Sequence, residues 1–321
     1  MAKIAASSWR SLHRFGYRLP SVKLSVAVPR SHGQFCGKNR RQALEAEAIM
    51  SMASLATGGP DAGRRPMTQA SGSLASFFDG LRPDWHSRWA WDQYEATILG
   101  LAHQFGLRSV CEIGGGRDPL FTQEEAARNG IELIVNDIDP GELALTGRGL
   151  KTVRFDIAGD LSEPDVVRGG YDMMVSRMVF EHVDGVERAW ANIHELLTPG
   201  GVALAFFPTL WAPIFALNHV LPARLSRAIV HALYPARRDG GDDPIFPAFY
   251  DWCRGDPAVL APMLKRVGFA EVHVQRFWGH EYFERMPGLK QLDHAFNAAA
   301  ARLGWSLVTT HAYVVVRKGG G

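Results

Sequence analysis

Cysteine is scarce in this chain of 321 residues, and several familiar enzyme motifs are missing. The three cysteines, Cys36, Cys111 and Cys253, lie far apart and form no Cys-x-x-Cys pair. Their spacing excludes a disulfide framework and a cysteine-based zinc site, and it is typical of a reducing, cytoplasmic compartment. The chain also has no Gly-x-Ser-x-Gly elbow and no Gly-x-x-x-x-Gly-Lys-Ser/Thr loop. These absences exclude the nucleophile of the α/β-hydrolases and the phosphate loop of the P-loop proteins.

The N-terminal stretch lacks acidic residues before Glu45, and its apolar runs are shorter than the ~7–15 residues that a secretory signal needs. Residues 1–67 carry eleven basic and three acidic side chains, so their net charge is +8, whereas the remaining residues carry −6. We interpret residues 1–66 as a flexible or wrongly assigned basic extension. An organellar transit peptide is the alternative. The mildly acidic remainder argues against an extended nucleic-acid surface.

A hydrophobic run long enough to cross a membrane is missing as well. Val202–Leu217 is the most apolar segment, but its 16 residues are interrupted by Pro208 and Pro213. A membrane helix needs ~20 residues without such breaks. The segment therefore predicts a buried strand followed by a hydrophobic loop or lid.

Helical and strand patterns alternate from about residue 87 onward. Apolar residues that recur at helical spacing, and so share one helix face, predict helices around Trp91–Phe105, Val186–Leu197, Leu260–Val267 and Leu289–Leu303. A further short helix is predicted over Gln123–Arg128. Short apolar runs predict seven strands, at Val110–Ile113, Leu133–Val135, Thr152–Phe155, Tyr171–Val175, Val202–Phe207, Val272–Val274 and Tyr313–Val316. This order is typical of an α/β fold: a doubly wound, Rossmann-like, mostly parallel seven-stranded sheet with helices on both faces.

Glycines and acidic residues recur where the predicted strands end. Glu112 precedes Gly114-Gly115-Gly116, while Asp137 and Asp156 follow the second and third strands. Ligands of such sheets bind outside the carboxyl ends of the strands. Glycines let the backbone approach a ligand closely, and carboxylates at the next two strands can accept hydrogen bonds from ribose hydroxyls and from an adenine amine. The pattern predicts a nucleoside site.

Several segments together resemble class I S-adenosylmethionine-dependent methyltransferases of the small-molecule type. VCEIGGGRDP (110–119) is similar to the first motif of that family, LIVNDIDP (133–140) to its acidic second-strand motif and VRFDI (153–157) to its adenine-contacting segment. YDMMVSRMVFEHV (171–183) and LLTPGGVALAFFPT (196–209) resemble its fourth strand and the turn into its fifth. Asp118 stands where the third glycine of the first motif is usual, and Pro119 breaks the dinucleotide fingerprint of an NAD site.

The resemblance implies S-adenosylmethionine as the cofactor and transfer of a methyl group to a small organic acceptor. It implies the following cofactor-binding residues: Glu112, Gly114, Gly115, Gly116, Asp137, Ile138, Asp156, Ile157 and Ser176. We expect O-methylation by in-line displacement, from the breadth of the family. A non-catalytic protein that keeps the fold as a binding or assembly module is the alternative, and the intact set of glycines and acids argues against it.

Glu181-His182 is the most notable pair outside this set. Some relatives with Glu-x-x-Glu-His at this position bind a divalent metal, but Met178 replaces the first acid here, so we expect no metal. His182 is a candidate catalytic residue that orients or deprotonates the acceptor. The alternative is that it caps or packs under the following helix.

The segment between the fifth strand and the next helix is too long for an ordinary α/β loop. We expect residues 208–255 to form a helical lid over the acceptor, with the candidate substrate residues Trp211, Phe215, His219, Arg224, Arg227 and Tyr250. The two arginines predict an anionic or lipid-like acceptor, or else a solvated basic helix face.

After the basic extension, the chain is thus divided into four predicted parts. They are an N-terminal helical segment (67–105), the cofactor-binding half of the methyltransferase domain (106–207), the lid (208–255) and the C-terminal half of that domain (256–318).

Overall fold

The computed structural model describes residues 72–147, 149–211, 248–281 and 288–320, together with Phe283 and Met286. All of them belong to one compact unit, which spans residues 29–216 and 248–321. The predicted extension over 1–66 lies outside the described residues, as does most of the predicted lid.

The sheet has seven strands in the order β3-β2-β1-β4-β5-β7-β6. The strands are β1 (Ser109–Ile113), β2 (Glu132–Asp137), β3 (Lys151–Arg154), β4 (Tyr171–Arg177), β5 (Leu197–Pro208), β6 (Phe269–Phe277) and β7 (His311–Lys318). β1 to β5 pair in parallel, and β7 lies antiparallel between β5 and β6. The chain order reverses direction where β1 lies between β2 and β4, which is where ligands bind in such sheets. The predicted mostly parallel, seven-stranded fold is confirmed.

Helices cover both faces of this sheet. They are α1 (Leu74–Leu81), α2 (Ser87–Asp92), α3 (Tyr94–Phe105), α4 (Gln123–Arg128), α5 (Pro140–Ala144), α6 (Val186–Leu196), α7 (Pro257–Val267) and α8 (Leu289–Arg302). Alternate strand residues such as Met173 and Val175 pack with α1 to α4 in one hydrophobic core. On the opposite face Trp190 of α6 packs its ring against Phe269 of β6. None of the described helices combines the length and the apolarity that crossing a membrane requires.

Local signals place the ends of several helices. Gly106 ends α3 in the left-handed conformation with φ +67°, which glycine adopts without steric cost. Asp256 caps α7 by accepting a 2.9 Å hydrogen bond from the Ala258 amide, and Pro257 occupies the first helical position. Pro262 lies inside α7, yet the helix runs on to Val267.

Two helical patterns differ from the structure. The predicted single helix around Trp91–Phe105 is two helices with a break at Gln93, whose φ and ψ are −106° and 10°. Tyr94, the first residue of α3, contacts the β4 backbone through its hydroxyl, and a periodic pattern does not encode this contact. In α8 the apolar stripe is largely exposed (Leu292 is 71 % exposed), while Asn297 and Ala300 face the interior.

The Tyr94 hydroxyl joins the N-terminal helices to the sheet, because it donates a 2.7 Å hydrogen bond to the Ser176 carbonyl oxygen. Tyr94→Phe leaves this buried carbonyl without its donor and is expected to lower the free energy of unfolding by about 1–2 kcal/mol. Urea denaturation measures the loss. Tyr171→Phe is the matched control, because the Tyr171 hydroxyl makes no hydrogen bond to the described residues. An equal loss in both variants would contradict the assigned role of the Tyr94 contact.

Candidate active site

The glycine loop after β1 packs too tightly for side chains. A Cβ atom on Gly114 would lie 2.7 Å from Val179, and one on Gly115 would lie 2.8 Å from the Glu112 side chain. On Gly116, whose φ is +46°, a Cβ atom would lie 2.8 Å from Oδ2 of Asp137. The three glycines therefore allow the loop to fit between the ends of β1, β2 and β4, and leave its backbone open to a ligand.

Hydrogen bonds fasten this loop to the elements around it. The Gly115 amide donates to the Asn136 carbonyl oxygen at 3.0 Å, and the Thr146 hydroxyl donates to the Gly116 carbonyl oxygen at 2.7 Å. Arg117 forms a bidentate pair with Glu142, at 2.6 and 2.7 Å. The loop is thus held rigidly against β2 and α5, and such rigidity lowers the entropy cost of ordering a ligand there.

Glu112 lies beneath the loop with only 4 % of its surface exposed. Its Oε2 accepts a 2.8 Å hydrogen bond from the Leu120 amide, so the side chain closes the segment that follows the glycines. Burial raises the pKa of Glu112 to about 7, against the lowering effects of the Leu120 amide and the nearby Arg177. The motif acid therefore supports the loop from below.

Asp137 ends β2 at the edge of the loop. Its Oδ1 accepts a 2.9 Å hydrogen bond from the Asp139 amide, while Oδ2 faces Gly116. Partial burial raises its pKa, and the neighbouring Glu142 contributes in the same direction. The preceding Asn136 is buried and donates from Nδ2 to the Val153 and Phe155 carbonyl oxygens, at 3.2 and 3.0 Å. The amide joins β2 to β3 and so fixes where the carboxylate lies.

Asp156 follows β3 and turns the chain at the same edge. Its Oδ1 accepts a 2.9 Å hydrogen bond from the Ala158 amide. The next residue, Ile157, is buried, and its carbonyl oxygen accepts a 2.7 Å hydrogen bond from Nδ2 of Asn192 in α6. Ile138, by contrast, is 58 % exposed beside Asp137.

Ser176 and the turn after β4 complete the edge. The Ser176 hydroxyl oxygen is buried without a hydrogen-bond partner among the described residues. Met178 has a left-handed φ of +58°, an uncommon conformation for a residue with a side chain. A 3₁₀ turn, Phe180–His182, follows and presents a half-buried His182 whose Nε2 lies 3.8 Å from Oε1 of Glu181. Strained backbone of this kind clusters at functional sites.

Glu181 itself is 1 % exposed, and burial raises its pKa to about 8. Among the described residues no group of three or more His, Cys, Asp or Glu side chains is arranged to hold a metal ion. The sequence pattern drew attention to this pair, with no metal expected there, but it did not reveal the burial of the acid, since burial depends on the segment 248–253 that packs over it.

A cleft of about 120 Å³ opens where β5 ends and β7 begins. Thr209, Trp211, Arg254, Val259 and Leu307 are among the residues that line it. Trp211 is 48 % exposed, and the Arg254 guanidinium lies 5.7 Å from the centre of its ring. The sequence pattern predicted Trp211 and missed Arg254, whose only signal is its position two residues before the α7 cap.

The other predicted acceptor residues fall into two groups. Tyr250 is buried, with a φ of +53°, and its amide donates to the Glu181 carbonyl oxygen at 3.2 Å. It therefore lies against the Glu181–His182 turn. Outside the described residues are Phe215, His219, Arg224 and Arg227.

Comparison with known proteins agrees with this geometry. Residues 86–220 match the family model of a methyltransferase domain. Together with the sheet order, this defines a class I methyltransferase domain. The chain therefore contains a methyltransferase domain of class I, and S-adenosylmethionine is the cofactor of this domain.

Solved structures with a similar arrangement share little sequence with the chain. A SAM-dependent methyltransferase from Archaeoglobus fulgidus is 15 % identical, with a TM-score of 0.42, over 77 % of this chain and 100 % of that one. A methyltransferase from Mesorhizobium loti is 18 % identical, with a TM-score of 0.37, over 66 % and 91 %. Phosphoethanolamine N-methyltransferase 2 from Haemonchus contortus is 14 % identical, with a TM-score of 0.39, over 66 % and 49 %. No curated relative matches the chain.

Asp137→Asn tests the predicted ribose contact. Loss of a charge-assisted hydrogen bond of about 1.5–3 kcal/mol weakens binding roughly 10- to 150-fold. Calorimetry with S-adenosylhomocysteine measures the change. Asp139→Asn is the control, because Asp139 caps α5 through a 2.7 Å hydrogen bond from the Gly141 amide. Unchanged affinity in Asp137→Asn would place the ribose elsewhere.

Gly116→Ala tests the steric fit of the loop. The new Cβ collides with Asp137 and displaces the carboxylate or the loop, so we expect at least a tenfold loss of S-adenosylhomocysteine affinity, equal to about 1.4 kcal/mol. Gly130→Ala provides the matched control: it has a φ of +69° and nothing within 4 Å of a Cβ atom. Alanine at this positive φ should lower the free energy of unfolding by about 1–2 kcal/mol and should leave the S-adenosylhomocysteine affinity unchanged. Equal affinities in the two variants would mean that the collision with Asp137 has no consequence for the site.

Proposed function

We propose that the enzyme transfers a methyl group to a hydroxyl oxygen of a small organic acceptor held at the carboxyl ends of β4 and β5. The observation that carries this proposal is the half-buried His182 imidazole beside a buried carboxyl group at the end of β4. A hydroxyl must lose its proton as it is methylated, and histidine is the side chain best suited to accept a proton near neutral pH. The geometry therefore favours an acceptor that carries such a proton.

The residues at the strand ends fit the cofactor. The space that a Cβ atom on Gly116 would occupy borders Oδ2 of Asp137, so a sugar seated against the loop would meet this carboxylate. Asp137 would accept hydrogen bonds from the ribose hydroxyls, Asp156 would accept one from the adenine amine, and Ile138 and Ile157 would border the ring. The buried Ser176 hydroxyl, which has no partner among the described residues, would face the methionine portion. When bound, S-adenosylmethionine supplies an electrophilic methyl group on a sulfonium.

The acceptor half of the site has to position a nucleophile and exclude water. Charge disperses as the methyl group is transferred, so an apolar, dry surrounding favours the reaction, and alignment of the two reacting atoms supplies much of the rest. Trp211 and Leu307 offer exposed apolar surface on the cleft at the end of β5. We assign the body of the acceptor to this cleft. His182 accepts the hydroxyl proton.

Arg254 supports an acceptor that also carries a negative group. Its guanidinium borders the cleft beside Trp211, and NH1 donates to the Tyr250 and Cys253 carbonyl oxygens at 3.4 and 3.2 Å. These contacts hold the cation against the cleft and leave further donors of the five-donor guanidinium for a carboxylate or phosphate. The class of acceptor that fits is a hydroxylated organic anion.

A transfer assay with methyl-labelled cofactor tests the function. The full-length enzyme is incubated with separate panels of small hydroxyl compounds, amines, thiols and carboxylates, each with anionic and neutral members, and the products are identified by mass spectrometry. We expect methyl ethers, with anionic hydroxyl compounds preferred. Methylation of amines or thiols alone would reject O-methylation, and methyl esters of carboxylates alone would reject a hydroxyl group as the acceptor. The absence of transfer to every panel would leave the acceptor outside these four classes and would reject the proposal.

Trp211→Ala tests the assignment of the acceptor. Loss of aromatic surface in the cleft should raise the acceptor KM about tenfold, which corresponds to about 1.4 kcal/mol, while S-adenosylhomocysteine affinity stays within twofold. Leu292→Ala is the control, because Leu292 is 71 % exposed on α8 and lines no part of this cleft. A collapse of cofactor affinity with intact acceptor kinetics would instead assign Trp211 to the cofactor pocket.

A further inference from the structure

The Glu181 carboxyl group is buried without a hydrogen bond from the described residues. Both of its oxygens have less than 1 Å² of accessible surface and no hydrogen-bond partner in the described part of the chain. Nearly all buried polar side chains in proteins are hydrogen-bonded, because an unsatisfied polar group loses its hydration without compensation. A buried, unsatisfied carboxyl group at the edge of a catalytic sheet therefore requires an explanation other than stability.

The group that faces Glu181 on its own turn is His182. Nε2 of the imidazole lies 3.8 Å from Oε1, close enough for an ion pair when the ring is protonated. From the segment 248–253, Tyr250 and Cys253 pack over the acid, and Asp251 and Arg254 flank Cys253. Burial raises the pKa of the Cys253 thiol, so this neighbour is uncharged at neutral pH.

Backbone contacts hold the pair in this arrangement. The Glu181 carbonyl oxygen accepts hydrogen bonds from the Phe249 and Tyr250 amides, at 2.7 and 3.2 Å. Tyr250 and Trp252 both have a φ of +53°, so the covering segment keeps a strained conformation over the acid. Strain of this kind persists only where the surrounding structure over-determines it. The turn that carries Glu181 and His182 is thereby fixed against the segment 248–253.

We propose that Glu181 is the positioning residue for His182: its carboxyl group holds the imidazole with Nε2 turned toward Oε1 and stabilises the imidazolium that forms when the acceptor loses its proton. The inference rests on the proposed function, in which His182 accepts that proton. During methyl transfer the acceptor O–H bond breaks and its proton moves to the imidazole. The new C–O bond forms as the C–S bond of the cofactor breaks, and the sulfur keeps that electron pair. Solvent receives the proton afterwards.

Glu181→Gln in the full-length enzyme tests the role of the charge, because the amide keeps the size of the side chain. At a pH above 8, where the wild-type carboxyl group is ionised, we expect kcat to fall at least tenfold, while the acceptor KM and the S-adenosylhomocysteine affinity stay within twofold. Asp184→Asn is the matched control, since it removes a charge from an exposed carboxylate three residues along the chain. An unchanged kcat in Glu181→Gln would overturn the proposal.

A double-variant cycle separates positioning from a structural role. If Glu181 acts only through His182, then His182→Asn combined with Glu181→Gln is no slower than His182→Asn alone. Losses that multiply would show that the two side chains act independently, and the proposal would then fail.

The pH dependence of kcat gives a second readout. Ionised Glu181 stabilises the imidazolium, so kcat should rise as pH increases through about 8, the pKa to which burial raises this acid. The rise of kcat with pH should be absent in Glu181→Gln and present in Cys253→Ala. Its presence in Cys253→Ala would exclude the neighbouring thiol as its source. Retention of the rise in Glu181→Gln would contradict the assignment.

Stability provides a test that needs no acceptor. The folded-state pKa of about 8 lies above the unfolded value of ~4.3. Between these two pH values the folded protein binds the additional proton, so the free energy of unfolding of the wild type should fall with rising pH relative to Glu181→Gln. If the free energies of unfolding of the wild type and of Glu181→Gln changed in parallel with pH, the acid would not be buried as described and the proposal would be overturned.

These outcomes distinguish this inference from the proposed function. If the labelled-methyl screen finds an amine acceptor and no hydroxyl acceptor, O-methylation fails, but the amine also loses a proton. The kcat loss, the double-variant cycle and the pH profile are then measured with that amine and decide the role of Glu181 separately.

Discussion

Steric crowding around Gly114, Gly115 and Gly116 is the constraint on which the rest of the site depends. At each position a Cβ atom would come within 2.8 Å of a side chain on another part of the sheet edge. The loop can therefore lie against Val179, Glu112 and Asp137 only as bare backbone. Because it does, the ends of β1, β2 and β4 converge at the reversal of strand order, and a ligand seated there meets all three strands.

Side-chain amides then fix the irregular segments beside the loop. Asn136 satisfies the carbonyl oxygens of Val153 in β3 and of Phe155 directly after it, and Asn192 satisfies the Ile157 and Gly159 carbonyl oxygens. Buried carbonyl groups without such donors would destabilise the fold. These amides thus set the positions of Asp137 and Asp156, although neither amide is itself a candidate ligand.

The two halves of the site are built differently. The family match over residues 86–220 includes the glycine loop, the acids at the ends of β2 and β3, and Trp211. It does not reach Arg254, Val259 or Leu307, which complete the cleft at the end of β5. The proposed cofactor half depends on close backbone packing, whereas the proposed acceptor half depends on side chains from separate parts of the chain.

The sequence by itself determined the features that depend on neighbouring residues: the cap at Gly106, the Asp256-Pro257 start of α7, the short helix Gln123–Arg128 and the glycine and acidic positions at strand ends. Each follows from local backbone preference or from the spacing of apolar residues. Only the tertiary structure decided the break at Gln93, the exposure of the apolar stripe on α8, the burial of Glu181 and the approach of Arg254 to Trp211. These features arise from contacts between residues far apart in the chain, and neither periodicity nor local propensity carries information about which distant segment will pack against a given side chain.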